Sequence, residues 1–263
     1  MAKCLIITGY GLNCERETQA AFEHCGAQVS LLHFNQLLAR PETLQEHDIL
    51  TFIGGFSFGD HLGAGVAFAN KVRHQLGEAL DSYVAGGRLV LGICNGMQVI
   101  TRLGLLPASD GQTGEPQAAM ARNDNDRFRD DWVTVRANPE SPCVFTRGLD
   151  SLALPIRHGE GKFSVASQDV LDRIIAQGQI CLQYCDPESG EPTEEFPDNP
   201  NGSPLGIAGV CDPTGRILGM MPHPEAYLSP YNHPHWTRQK LNGVLPAEGL
   251  GVAIFRNAVD FVG

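Results

Sequence analysis

The sequence predicts an α/β fold, with a mostly parallel open sheet, helices on both faces and an antiparallel extension. Two observations predict it. Up to Leu105, short and continuously apolar runs alternate with helical patterns and break at glycine. Strands apolar at every position are those covered by helices on both faces, and strand–helix alternation marks βαβ units. Beyond Pro107 the rhythm changes to strands with few helices between them. This fits an extension of the same sheet better than a second core, so residues 1–263 are expected to form a single unit.

Lys3–Thr8 is the first apolar run, closed by Gly9-Tyr10-Gly11. Asn13 offers an N-cap for a helix through Cys25, and Gly26 stops that helix. Val29–Leu32 and Ile49–Ile53 read as the next strands, the latter ending at Gly54-Gly55. A helix is expected from Ala64 to Val84, stopped at Gly86-Gly87. Leu89–Ile93 is a fourth strand, and Met97, Ile100 and Leu103 give Asn95–Leu103 a helical period. Further strands are expected at Trp132–Val135, Lys162–Val165, Ile180–Tyr184, Ile207–Cys211 and Ile217–Met221, with a closing helix over Gly251–Val262. Asp186–Asn201, with six acidic residues among Pro, Gly and Asn, reads as an exposed loop.

Composition narrows the function. The 263 residues are 42% hydrophobic, enough for a sizeable core and too many for disorder. A net charge of −11 and the lack of any Lys/Arg cluster argue against nucleic acid as a main partner. No apolar run approaches the roughly 20 residues that span a bilayer. The N-terminal run is interrupted too early for a secretory signal, so a cytoplasmic location is expected. The eight cysteines include no C-x-x-C pair, which speaks against a zinc ribbon or a thioredoxin motif. Most are expected to be small buried hydrophobes.

Cys94 stands apart. Gly92-Ile93-Cys94-Asn95-Gly96 lies between a buried strand and a helix, which is the G-x-S-x-G elbow with Cys as the nucleophile. Glycines two before and two after remove side chains that would collide in so sharp a turn. The helix N-terminus favours thiolate over thiol. A buried cysteine between turn glycines would look the same locally, but the flanking strand and helix favour the elbow.

A thiolate nucleophile needs a base, and the base an orienter. Among nine histidines, His223 follows a strand as Cys94 does, where open α/β sheets place their sites. Glu225, two residues on, is placed to aim a carboxylate at its ring. His223, Glu225, His233 and His235 also form a local set of metal-type ligands, but their spacing fits no standard zinc pattern, and no metal is expected. Gly54-Gly55-Phe56-Ser57-Phe58-Gly59-Asp60 would lie beside the elbow on an adjacent strand. Its N–H groups and that of Asn95 could form an oxyanion hole, or the turn could be a phosphate loop. Neither Gly9-Tyr10-Gly11, with Cys14 at the third glycine position, nor Gly161-Lys162 completes a nucleotide motif.

Together these motifs resemble class I (triad) glutamine amidotransferases, and within them the glutaminase subunits of phosphoribosylformylglycinamidine synthases. The resemblance rests on the segment Gly54–Asp60, Gly92–Gln98 and Met221-Pro222-His223-Pro224-Glu225. It extends to Arg122-Asn123 with Arg127-Phe128, to Ile156–Phe163 and to Asn199–Gly209. Ala226 follows the His-Pro-Glu motif where many relatives carry Arg.

The resemblance implies a flavodoxin-like sheet and a catalytic triad of Cys94, His223 and Glu225. It also implies an oxyanion hole from Gly55 and Asn95, and a glutamine pocket lined by Gly54, Phe56 and Gln98. It further implies that ammonia passes to a large synthetase subunit, which itself uses ATP and Mg²⁺, so no cofactor is expected in this chain. A third small subunit could join them. The acidic loop and His158-Gly159-Glu160-Gly161 are possible docking points for the large subunit. The alternatives are a free-standing γ-glutamyl or peptide hydrolase, the amidotransferase subunit of a paralogous pathway, and a subunit that binds glutamine without turnover.

Overall fold

The computed structural model describes all 263 residues. The strands are β1 (Lys3–Thr8), β2 (Gln28–His33), β3 (Ile49–Phe52), β4 (Leu89–Ile93), β5 (Ala118–Ala121), β6 (Arg129–Ala137), β7 (Ser151–His158), β8 (Lys162–Val165), β9 (Ile180–Tyr184), β10 (Ile207–Cys211) and β11 (Ile217–Met220). The helices are α1 (Glu15–His24), α2 (Phe34–Ala39), α3 (Val66–Ala85), α4 (Asn95–Arg102), α5 (Gln168–Ala176), α6 (Trp236–Leu241) and α7 (Val252–Val262). No helix is long and apolar enough to cross a membrane.

Nine strands form one sheet in the order β2-β1-β3-β4-β11-β10-β9-β6-β7. From β2 to β11 all pairings are parallel, and from β11 onward each strand is antiparallel to its neighbour. This is the open sheet with an antiparallel extension that the rhythm change at Pro107 predicts. β5 and β8 pair separately as a small antiparallel ribbon. The β1-α1-β2 and β3-α3-β4 crossovers run in opposite directions along the sheet, so right-handed connections put α1 and α3 on opposite faces. Helix α7 joins α1, where Phe22 and Phe255 meet edge to face at 4.9 Å. All five residues of β4 are buried, and 64 buried apolar residues form one continuous core.

Several expectations need correction. Asn13 is not the N-cap of α1; Cys14 holds that position with no side-chain cap. The Asn13 N–H donates instead to the Gly54 carbonyl at 3.2 Å, tying this turn to the end of β3. The helix expected from Ala64 begins at Val66, because Gly63 and Gly65 take positive φ. Strand β7 is absent from the sequence reading because Pro155 interrupts its apolar run. It is the sheet's last strand, where a missing N–H leaves no ladder bond unmade. Helices α2, α5 and α6 and strand β5 are also additions; α2 and α6 have six residues each, too short for a period to show. The acidic segment is exposed along most of its length, but it ends inward: Asn199 and Asn201 are buried.

Candidate active site

Cys94 is the first residue after β4 and the N-cap of α4. Its backbone takes φ 50° and ψ −107°, a strained conformation for any residue but glycine. Its N–H donates to the Met220 carbonyl at 2.8 Å, so the elbow is pinned to the neighbouring strand β11. A Cβ on Gly96 would stand 1.9 Å from the Phe52 carbonyl oxygen, so only glycine lets the first turn of α4 press against β3. The Sγ of Cys94 lies 3.6 Å from the Arg157 carbonyl at the end of β7.

His223 comes from the same edge of the sheet. β11 runs parallel to β4 with Met220 opposite Ile93, and His223 follows a short turn beyond it. Its N–H donates to the Pro155 carbonyl at 2.8 Å. The ring is 2% exposed and holds Glu225 Oε1 on Nδ1 at 2.5 Å, while Nε2 has no partner. Burial disfavours the imidazolium. The Glu225 carboxylate, then the thiols of Cys94 and Cys14, outweigh it and hold the imidazole well above its ordinary range.

Cys14, expected from the sequence to be a packing cysteine, also lies beside this imidazole. Its sulfur, the His223 ring and the Glu225 carboxylate present ligand atoms within 4.8 Å of one another. Burial pushes the Cys14 thiol up, and the neighbouring His223 imidazole is the main counterweight. Gly54 makes room for this pairing: a Cβ there would meet His223 Cε1 at 2.7 Å and Cys14 Sγ at 3.1 Å. The strand pairing that would have revealed Cys14 joins β1 to β3, and it is invisible in a local motif.

In front of Cys94 lies a hollow of about 140 Å³, lined among others by Gly55, Phe56, Asp60, Gln98, His158 and Glu160. The N–H groups of Gly55 and Asn95 have no hydrogen-bond partner within the protein. Gln98 lines the hollow, but both ends of its amide are engaged. Nε2 donates to the Glu160 carbonyl at 2.7 Å and Oε1 accepts from Asn95 Nδ2 at 2.8 Å. It therefore holds the wall together. Phe56 is half-exposed at the rim, and Gly54 backs the imidazole instead of lining the hollow. A larger surface depression of about 520 Å³ along β2 holds no cysteine, and His47 there has both ring nitrogens bonded, to the Thr43 carbonyl and the Ser30 hydroxyl.

The His158–Gly161 turn is the wall of the site. Asn123 organises it: Nδ2 donates to the carbonyls of Arg127 and His158 at 2.8 and 3.0 Å, and Oδ1 accepts from Gly161 N–H at 3.0 Å. Oδ1 is also 3.1 Å from His158 Nδ1, which assigns the proton to Nδ1 and leaves Nε2 a bare acceptor. Burial, and then the charge of His223, push the His158 imidazole down to about 3.

Between that value and its unfolded value of about 6.5, the unfolded chain binds a proton that the folded chain does not. This stabilisation is therefore complete above about pH 6.5 and is lost as pH falls toward 3. Urea unfolding of His158→Gln at pH 6.5 and 4.5 should show a shallower acid loss of stability than the wild type. The difference should approach about 1.4 kcal/mol per pH unit; equal slopes would mean that His158 titrates normally.

His233 and His235 do not converge on His223. His233 packs on Trp132 with ring centroids 4.8 Å apart, and His235 is beside it, so the four-residue ligand set suggested by the sequence does not form. Cys143, Cys181 and Cys211 bring their sulfurs within 4.8 Å of one another in the core. All eight cysteines are unpaired.

Comparison with known proteins shows the family and the fold. Residues 1–262 match the model of the CobB/CobQ-like glutamine amidotransferase domain. The chain is 42% identical to the phosphoribosylformylglycinamidine synthase subunit PurQ of Methanococcus maripaludis, over 98% of this chain and 97% of that one. It is 40% identical to the PurQ subunit of Dehalococcoides mccartyi, over 98% and 97%. Among solved structures, a chain of PurLQS from Thermotoga maritima shares the fold with a TM-score of 0.71, at 23% identity, over 100% of this chain and 99% of that one.

Proposed function

We propose that this chain, which belongs to the CobB/CobQ-like glutamine amidotransferase family and stands among the PurQ subunits of phosphoribosylformylglycinamidine synthase, is the glutaminase of such a synthase. The observation that carries the reading is Cys94 in its strained elbow at a hollow that Gly55 also lines, with the free N–H of Asn95 next in the chain and the Glu225-bound imidazole of His223 beside the thiol.

The steps follow from the geometry. Cys94 Sγ attacks the side-chain carbonyl carbon of glutamine, and the oxyanion that forms is held by the N–H groups of Gly55 and Asn95. His223, oriented through Nδ1 by Glu225, delivers a proton from Nε2 to the amide nitrogen. The C–N bond breaks, ammonia leaves, and a γ-glutamyl thioester remains on Cys94. His223 then takes a proton from water, whose oxygen attacks the thioester; the C–S bond breaks and glutamate departs.

The ammonia serves a large synthetase subunit, and a third small subunit joins the complex; the similarity to a chain of PurLQS from Thermotoga maritima supports this reading. ATP and Mg²⁺ belong to that partner's chemistry on formylglycinamide ribonucleotide. Residues 1–263 act as one glutamine amidotransferase unit. We place it in the cytoplasm, where eight unpaired thiols stay reduced.

The test is glutamate release from glutamine by the full chain, alone and with the large subunit, its nucleotide substrate, ATP and Mg²⁺. Turnover should rise sharply in the complex. Turnover indifferent to the partner would support a free-standing γ-glutamyl hydrolase, and none in either setting would support a binding subunit.

A further inference from the structure

Two residues that line the hollow in front of Cys94, Asp60 and His158, carry acceptors that nothing in the protein satisfies. Asp60 Oδ1 and His158 Nε2 are both buried without a hydrogen-bond donor. His158 is 2% exposed and lines the hollow, and its Nδ1 proton makes Nε2 an acceptor only. Glu160 lines the same hollow and has one oxygen occupied, Oε2 accepting from the Ala64 N–H at 3.0 Å. A buried acceptor without a donor is destabilising, so a small cavity with two of them is built for a ligand that brings N–H groups.

Charge points the same way. Burial, and next the neighbouring Glu160, hold the Asp60 carboxyl up at about 6; the Gly65 N–H and His61 only partly offset them. A cation between the two carboxylates would relieve both the repulsion and the missing donors. The backbone is also strained here: Phe58, Gly59 and Asp60 take φ of 56°, 68° and 56° in succession. Strained non-glycine residues persist where a site requires a particular placement.

The inference rests on the glutaminase reading. Glutamine carries N–H donors at both ends. Its carboxamide must lie at Cys94, which leaves the α-ammonium for the carboxylate side of the hollow. We propose that Asp60, backed by Glu160, binds the α-ammonium of glutamine and so selects an amino acid over other primary amides.

The test compares glutamine with glutaramate, which is glutamine without its α-amino group, using the full chain with its synthetase partner. Asp60→Asn should lower kcat/KM for glutamine by about 10- to 100-fold, chiefly through KM, the range expected when a charged hydrogen-bond partner is lost. On glutaramate the same substitution should change little, so the preference for glutamine collapses. Equal losses on both substrates, or no loss on glutamine, would overturn the proposal. Binding to Cys94→Ala protein reads the same preference without turnover. There the ratio of Kd values, glutaramate to glutamine, should fall toward one when Asp60→Asn is added; an unchanged ratio in a variant that still binds glutamine overturns the role of Asp60. A wild type that hydrolyses neither compound would instead remove the glutaminase reading.

Discussion

Replacing Cys94 by Ala should lower glutamate release from glutamine by at least about 10⁴-fold, the scale on which loss of a covalent nucleophile is felt. The control is Cys14→Ala. Two thiols flank one imidazole, and pairing with His223 does not distinguish them. Their backbones do: Cys94 stands in the strained elbow at the head of α4, beside two free N–H groups, whereas Cys14 caps α1 behind the ring. Cys14→Ala should therefore keep activity within about tenfold of wild type, an effect of repacking around the base. Glutamate release measured on both variants decides the matter. If Cys14→Ala were the dead variant and Cys94→Ala the active one, the assignment would be reversed.

His223→Ala should cost about 10²- to 10⁴-fold in kcat, the usual contribution of a positioned general acid–base group. The imidazole is buried, its Nδ1 is taken by Glu225 at 2.5 Å, and Nε2 is its one atom available for proton transfer. Because nucleophile and base act as a unit, the double variant Cys94→Ala/His223→Ala should be no slower than Cys94→Ala alone. Additive losses would mean that His223 acts on something other than the thiol, and a loss of only a few-fold would remove it from proton transfer.

Much of this architecture is legible in the sequence because its causes are local. Leu89–Ile93 is apolar at every position and Gly-x-Cys-x-Gly follows at once, so strand, elbow and helix can each be read within ten residues. His223 and Glu225 are two residues apart, and their hydrogen bond needs nothing from the rest of the chain. β7 was hidden for the opposite reason: Pro155 spoils its pattern, and only an edge position makes it tolerable. The second wall of the site depends on that strand. It carries Arg157, whose carbonyl meets Cys94, and leads into His158 and Glu160.

The order of apolar runs and glycines thus settled the parallel sheet, the elbow that carries Cys94 and the pairing of His223 with Glu225, since each follows from bonding within a few residues. Whether a polar atom finds a donor is a property of every segment around it. So the pairing of Cys14 with His223, the engagement of Gln98 by Glu160 and Asn95, and the empty acceptors of Asp60 and His158 were decided only when distant strands came together.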